Sequence, residues 1–149
     1  MSFLKNLADK ATVRKQLSEL RLVERRLGEL STAQRLSLMR NIGESLAKVD
    51  GANVRSMTPD QQVVIGIRIQ SGAHNALIGA FNQESLASWI VGTWLVVPHM
   101  PPGSDQAVVE SRVRTLCREA WELHEADSDR IARAQLAARA WLGKDPKGG

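Results

Sequence analysis

Apolar positions recur at three- and four-residue steps along almost the whole chain, the spacing of one face of an α-helix. Val13, Leu17, Leu20, Val23, Leu27 and Leu30 share such a face and predict a first helix from about Phe3 to Leu30. Ser31 then opens an S-x-x-Q capping box with Gln34, in which side chain and backbone satisfy each other's free donors. A second helix follows, with Ala33, Leu36, Met39 or Arg40, Ile42, Leu46 and Val49 in phase. Asp50-Gly51 is its predicted stop, because glycine accepts the left-handed conformation at a helix end. Ala52 to Met57 reads as a loop.

Thr58-Pro59-Asp60-Gln61 is a second capping box, with proline at the first helical position. The run Val63 to Ile69 that follows is rich in β-branched residues, which favour strands. The start signal outweighs that preference, so helix is expected. Its continuation places Val63, Ile67, His74, Leu77, Ile78 and Phe81 on one side, with small residues at Gly66, Gly72, Ala73, Ala76, Gly79 and Ala80. Asn82 breaks or recaps the chain. Ser85 to Val97 forms an apolar helix ended by Pro98, and Pro98 to Gly103 is a connector. Ser104 or Asp105 caps a final segment with the stripe Val109, Val113, Leu116, Ala120 and Leu123. The same phase resumes at Ile131, Ala134, Ala138 and Trp141 or Leu142. Asp127-Ser128-Asp129 interrupts the stripe and resembles an N-cap, so residues 105–142 read as one helix or two.

The expected fold is therefore all-α: a single-domain, irregular bundle of five or six helices with long N- and C-terminal helices. The domain covers residues 1–143, and 144–149 form a polar, flexible tail. Of the 149 residues, 43% are hydrophobic and 24% charged, a balance that supports a packed core without disulfides or metals. The single cysteine, Cys117, excludes an intramolecular disulfide and fits a reducing compartment. The segment MSFLKNLADK lacks the apolar stretch of a secretory signal. The longest mainly apolar run, Leu86 to Val97, is shorter than the roughly 20 residues that span a bilayer. A cytoplasmic protein without membrane insertion is the expectation.

Charge is unevenly placed. Residues 1–42 carry nine Lys/Arg against four Asp/Glu, net +5; residues 43–110 carry three against six, net −3; residues 111–149 carry eight against six, net +2. The basic ends flank a mildly acidic, more apolar centre. Such asymmetry points to anionic partners for the ends, or to docking of one segment on another.

Catalytic chemistry finds little footing. His74, His99 and His124 fall on different predicted elements and share no metal-ligand spacing. Cys117 and His124 lie two turns apart on one helix face, an axial gap of about 10 Å, too wide for a nucleophile–base hydrogen bond. The carboxylates Glu119, Glu122, Glu125, Asp127 and Asp129 spread over a solvated face beside Arg118 and Arg130. No enzyme, metal, cofactor or small-molecule substrate is expected.

Two binding readings stay open. The first is protein association, as an adaptor, regulator or assembly subunit, including self-association into a homo-oligomer. Long terminal helices with sustained stripes commonly pair with another chain. Gly72, Ala76 and Gly79 would offer a close-packing groove. Trp89, Trp94, Trp121 and Trp141 are candidate anchors, since tryptophan concentrates at interface hot spots; core packing is the better reading of Trp89 and the glycines, and Trp141 is the better candidate for exposure. The second reading is a nucleic-acid-binding accessory protein. Lys10, Arg14, Arg21 and Arg25 fall within roughly 60° on the first helix and form a basic column able to meet phosphates. Pairs Lys15–Glu19 and Arg25–Glu29 would neutralise part of it. Absent tyrosine and two poorly placed phenylalanines argue against a base-stacking platform.

Overall fold

A computed structural model describes residues 10–71 and 82–142. It is all-α, with five α-helices among the described residues: α1 (Lys10–Gly28), α2 (Thr32–Gly51), α3 (Pro59–Ser71), α4 (Gln83–Val96) and α5 (Ser104–Leu142). Short 3-10 turns at Val54–Ser56 and Val97–His99 join α2 to α3 and close α4.

Both predicted capping boxes form. The Ser31 N–H donates to Gln34 Oε1 at 2.9 Å while the Gln34 N–H donates to Ser31 Oγ at 3.2 Å. Thr58 and Gln61 repeat the exchange at 3.0 and 3.2 Å. Val63 to Ile69 is helical throughout, so the strong start and burial against α4 override β-branched preference. Asn82 caps α4, its Oδ1 accepting from the Glu84 and Ser85 N–H groups at 2.9 and 3.3 Å. Two local expectations change. Gly51 stays within α2, and the left-handed residue is Asn53, with φ 56°. Ser104 is the first residue of α5 rather than its cap.

The core centres on α4, which buries Leu86, Ala87, Trp89, Ile90, Val91, Leu95 and Val96. An apolar sequence with little preferred face suits a helix surrounded by its neighbours. α3 packs most extensively against α4, with α2 and α5 also against it; α1 lies on α5 and reaches α4 through side chains. The α3–α4 crossing is set by two glycines. A Cβ on Gly66 would lie 2.8 Å from the Gly92 carbonyl oxygen, and one on Gly92 would lie 2.6 Å from the Gly66 oxygen. The helices touch backbone to backbone, a spacing only Gly permits. The close-packing pair is thus Gly66 and Gly92; Gly72, Ala76, Gly79 and the rest of 72–81 lie outside the described residues.

Polar groups at this crossing are satisfied. Gln70 Nε2 donates to Gln16 Oε1 and to Thr93 Oγ1, both at 2.6 Å. The Trp89 indole N–H donates to Glu19 Oε2 at 2.9 Å across the buried α1–α4 contact. These bonds let α1 cover α4 without stranding the buried Gln16, Glu19 and Thr93.

Residues 104–142 are a single 39-residue helix. Asp127 does not break it: the carboxylate binds Arg130 one turn on at 2.9 Å and Arg40 of α2 at 3.2 Å. Beyond it, Ala132, Ala134, Ala137, Ala138 and Ala140 supply the highest helix propensity available.

Replacing Gly92 by Ala should destabilise the fold by about 2–4 kcal/mol, because backbone on the facing helix cannot yield as a side chain can. Urea denaturation measures this. A loss below about 0.5 kcal/mol would contradict the close crossing.

Candidate interaction surfaces

Three surfaces stand out, and they differ in chemistry. The first is the outer part of α5. Val109, Val113, Cys117 and Ala120 are buried, and these stripe positions hold the helix on the body. Continued at 100° per residue, the same face passes through Ile131, Ala134, Ala138, Trp141 and Leu142. From Ser128 to Leu142 every residue is exposed. Ile131 is 56%, Trp141 74% and Leu142 62% accessible; Leu136, 67% accessible, lies on the opposite side. The outer fifteen residues span about 22 Å. The Arg40–Asp127 ion pair marks where the helix leaves the body. Trp141 is therefore an exposed aromatic side chain, as its place at the edge of the stripe predicts. Trp121 is half-buried instead, and its indole N–H donates to Glu125 Oε1 at 2.5 Å.

The second surface is the basic column on α1. Arg14, Arg21 and Arg25 are exposed, and none forms an ion pair with another described residue; the Lys10 side chain lies outside the described part. Neutralisation within the helix differs from expectation. Glu19 turns inward to the Trp89 indole. Glu29 binds Arg26 at 3.5 Å, not Arg25. Glu24 reaches across to Arg112 of α5 at 2.8 Å. The signal for this lies in the sequence: Glu19 falls between Leu17 and Leu20 on the edge of the buried stripe.

The third is a cleft that sequence reasoning missed, where α2, α4, α5 and the Val54–Ser56 turn converge. It encloses about 370 Å³ and is lined by Leu46, Asp50, Arg55, Trp94, Arg114, Cys117, Arg118 and Trp121. The Arg55 guanidinium lies 5.2 Å from the centre of the Trp94 ring, within cation–π range. Arg114 is paired with Glu110. The residues come from three separated stretches of the chain, 46–55, Trp94 and 114–121, so no local motif announces them.

Cys117 forms part of the cleft floor and is buried. Desolvation pushes its thiol from 9.0 up to about 12. A neutral, buried thiol is a poor nucleophile; the His124 ring packs beside Trp121, 5.4 Å between centres. Among the described residues no group of three or more His, Cys, Asp or Glu side chains is placed to hold a metal ion. No described helix is long and apolar enough to cross a membrane. Comparison with protein-family profiles, with curated proteins and with solved structures finds no match. The fold and surfaces thus define the class alone: a helical bundle with one helix carried beyond its body.

The Cys117 shift has a checkable consequence. Its folded-state value lies above the unfolded one, so its contribution to stability is complete below about pH 9 and is lost as pH climbs toward 12. At pH 8 the native thiolate fraction should be about a thousandfold below that of the unfolded chain. Reaction with an aromatic disulfide reagent should be correspondingly slow until denaturant is added. Prompt reaction in the native state would contradict the burial.

Proposed function

We propose that this protein is a non-catalytic association module, an adaptor, regulator or assembly subunit, that binds other helices through the outer half of α5. One observation carries the reading: the stripe that packs α5 onto the body continues in phase beyond it, exposed at every residue from Ile131 to Leu142. An isolated fifteen-residue helix is marginal in water, and exposed Ile, Trp and Leu on one narrow face gain from being covered. Burying a single such side chain is worth about 1.5–3 kcal/mol. A tryptophan at the end of the stripe fits an interface anchor. Self-association is the simplest form, since a second copy presents the same face.

Light scattering at tens of micromolar should find an oligomer that the double substitution Ile131→Glu/Trp141→Glu converts to monomer. Because both side chains are exposed, the urea midpoint of the monomeric body should stay nearly constant. A wild-type chain that remains strictly monomeric would overturn the self-association form. Unchanged assembly in the double variant would overturn the assignment to α5.

A second reading, an accessory protein that binds nucleic acid, is supported by the exposed Arg14, Arg21 and Arg25 column, in which no ion pair with another described residue forms. Like charges spaced along one helix cost a few tenths of a kcal/mol per i,i+4 pair, a cost that phosphates relieve. A labelled duplex or single strand should then bind at about 50 mM salt and release steeply as salt rises, with three to four phosphates in the slope. Reversal of all three arginines to glutamate should abolish binding. Absence of binding at about 50 mM salt would remove this reading.

A further inference from the structure

We propose that the cleft between α2, α4 and α5 binds a small, flat organic anion, with its ring against Trp94 and Trp121 and its charge on Arg55 and Arg118. Four features of the cleft support this, independently of the α5 surface. Its volume of about 370 Å³ lies in the range of small-molecule sites. Its floor, Leu46 and Cys117, is apolar and buried. Its walls present two half-buried indoles, whose faces suit a planar ring. Its rim carries three guanidinium groups against one carboxylate, that of Asp50.

The cations are not equivalent. Arg114 is engaged by Glu110. Arg118 forms no ion pair with a described residue, and the Arg55 guanidinium lies over the Trp94 ring, 5.2 Å from its centre. The backbone that carries Arg55 is fixed from behind. Gln62 Nε2 donates to the carbonyl oxygens of Val54, Arg55 and Met57 at 3.1–3.2 Å, which clamps the 3-10 turn onto α3. A cation positioned in advance on a rigid turn loses little entropy when an anion arrives. Guanidinium planes pair well with carboxylate, sulfonate or phosphate oxygens. A neutral ligand would leave these charges unused.

The test uses the full chain labelled with ¹⁵N, in which each tryptophan reports separately. The indole N–H resonances of Trp94, Trp121 and Trp141 are assigned from single Trp→Phe variants, and that of Trp89 by elimination. Naphthalene-1-sulfonate and the neutral naphthalene-1-methanol are titrated to about 5 mM, above the millimolar constants that mark weak binding. The sulfonate should shift Trp94 and Trp121 to saturation and leave Trp89 and Trp141 in place. The alcohol should bind at least fivefold more weakly. Arg118→Gln and Arg55→Gln, both at exposed positions, should each weaken the sulfonate at least fivefold and leave the alcohol unchanged. The proposal is overturned if no shift occurs, if Trp141 alone responds, if the alcohol binds as well as the sulfonate, or if neither arginine variant matters.

Discussion

The architecture depends on the contact between Gly66 and Gly92. Each backbone occupies the space where a Cβ on the other helix would stand. This approach lets α3 and α4 pack as one unit, and α4 can then be buried on nearly all sides. It also brings Gln70 beside Gly92 and within reach of Thr93 and Gln16, so the helix that covers the crossing is fastened by side-chain hydrogen bonds. Close approach excludes water, and excluded water obliges every polar group there to find a protein partner. The Glu19–Trp89 bond belongs to the same logic. A carboxylate drawn into the core serves α1 docking and is lost to the surface charge of α1.

α5 is built from one continuous pattern with two fates. Its inner half packs on α2, α1 and α4. Its outer half carries the same phase into solvent. The turn of the helix at Asp127 separates the two, where a single acidic residue ties Arg40 across and Arg130 along the helix. The aromatic, arginine-rich cleft lies on the body side of that point and the exposed Ile131–Leu142 stripe beyond it. The arginine-lined cleft and the exposed apolar stripe thus share one helix, on either side of Asp127. The exposed Arg14, Arg21 and Arg25 of α1 form a third region of different character; among the described carboxylates, Glu19, Glu29 and Glu24 bind Trp89, Arg26 and Arg112.

Much of the fold was legible because helix signals are local. Ser31–Gln34 and Thr58–Gln61 exchange the hydrogen bonds that their spacing implies, and Asn82 recaps the chain where the apolar phase is interrupted. The Val63–Ile69 run was the hardest segment, since β-branched side chains fit either state; a proline-led capping box and a glycine facing α4 settle it as helix. The exposure of Trp141 was legible from its position at the stripe's edge. Less legible were the left-handed residue, which is Asn53 rather than Gly51, and the continuity of α5 through Asp127. The end of α2 is decided locally, by the Ala52 N–H donating to the Lys48 and Asp50 carbonyls, whereas α5 is supported at Asp127 by Arg40 of a distant segment.

The sequence by itself determined the helices, their buried faces and the separation of charge along the chain, because these follow from periodicity, capping and composition within a few turns. Only the tertiary structure decided which glycines meet, which carboxylates leave the surface, and that Arg55, Trp94, Arg118 and Trp121 share a cleft. Those outcomes depend on the crossing of helices distant in sequence, and crossing geometry is set by side-chain volume and polar satisfaction across an interface that no single segment contains.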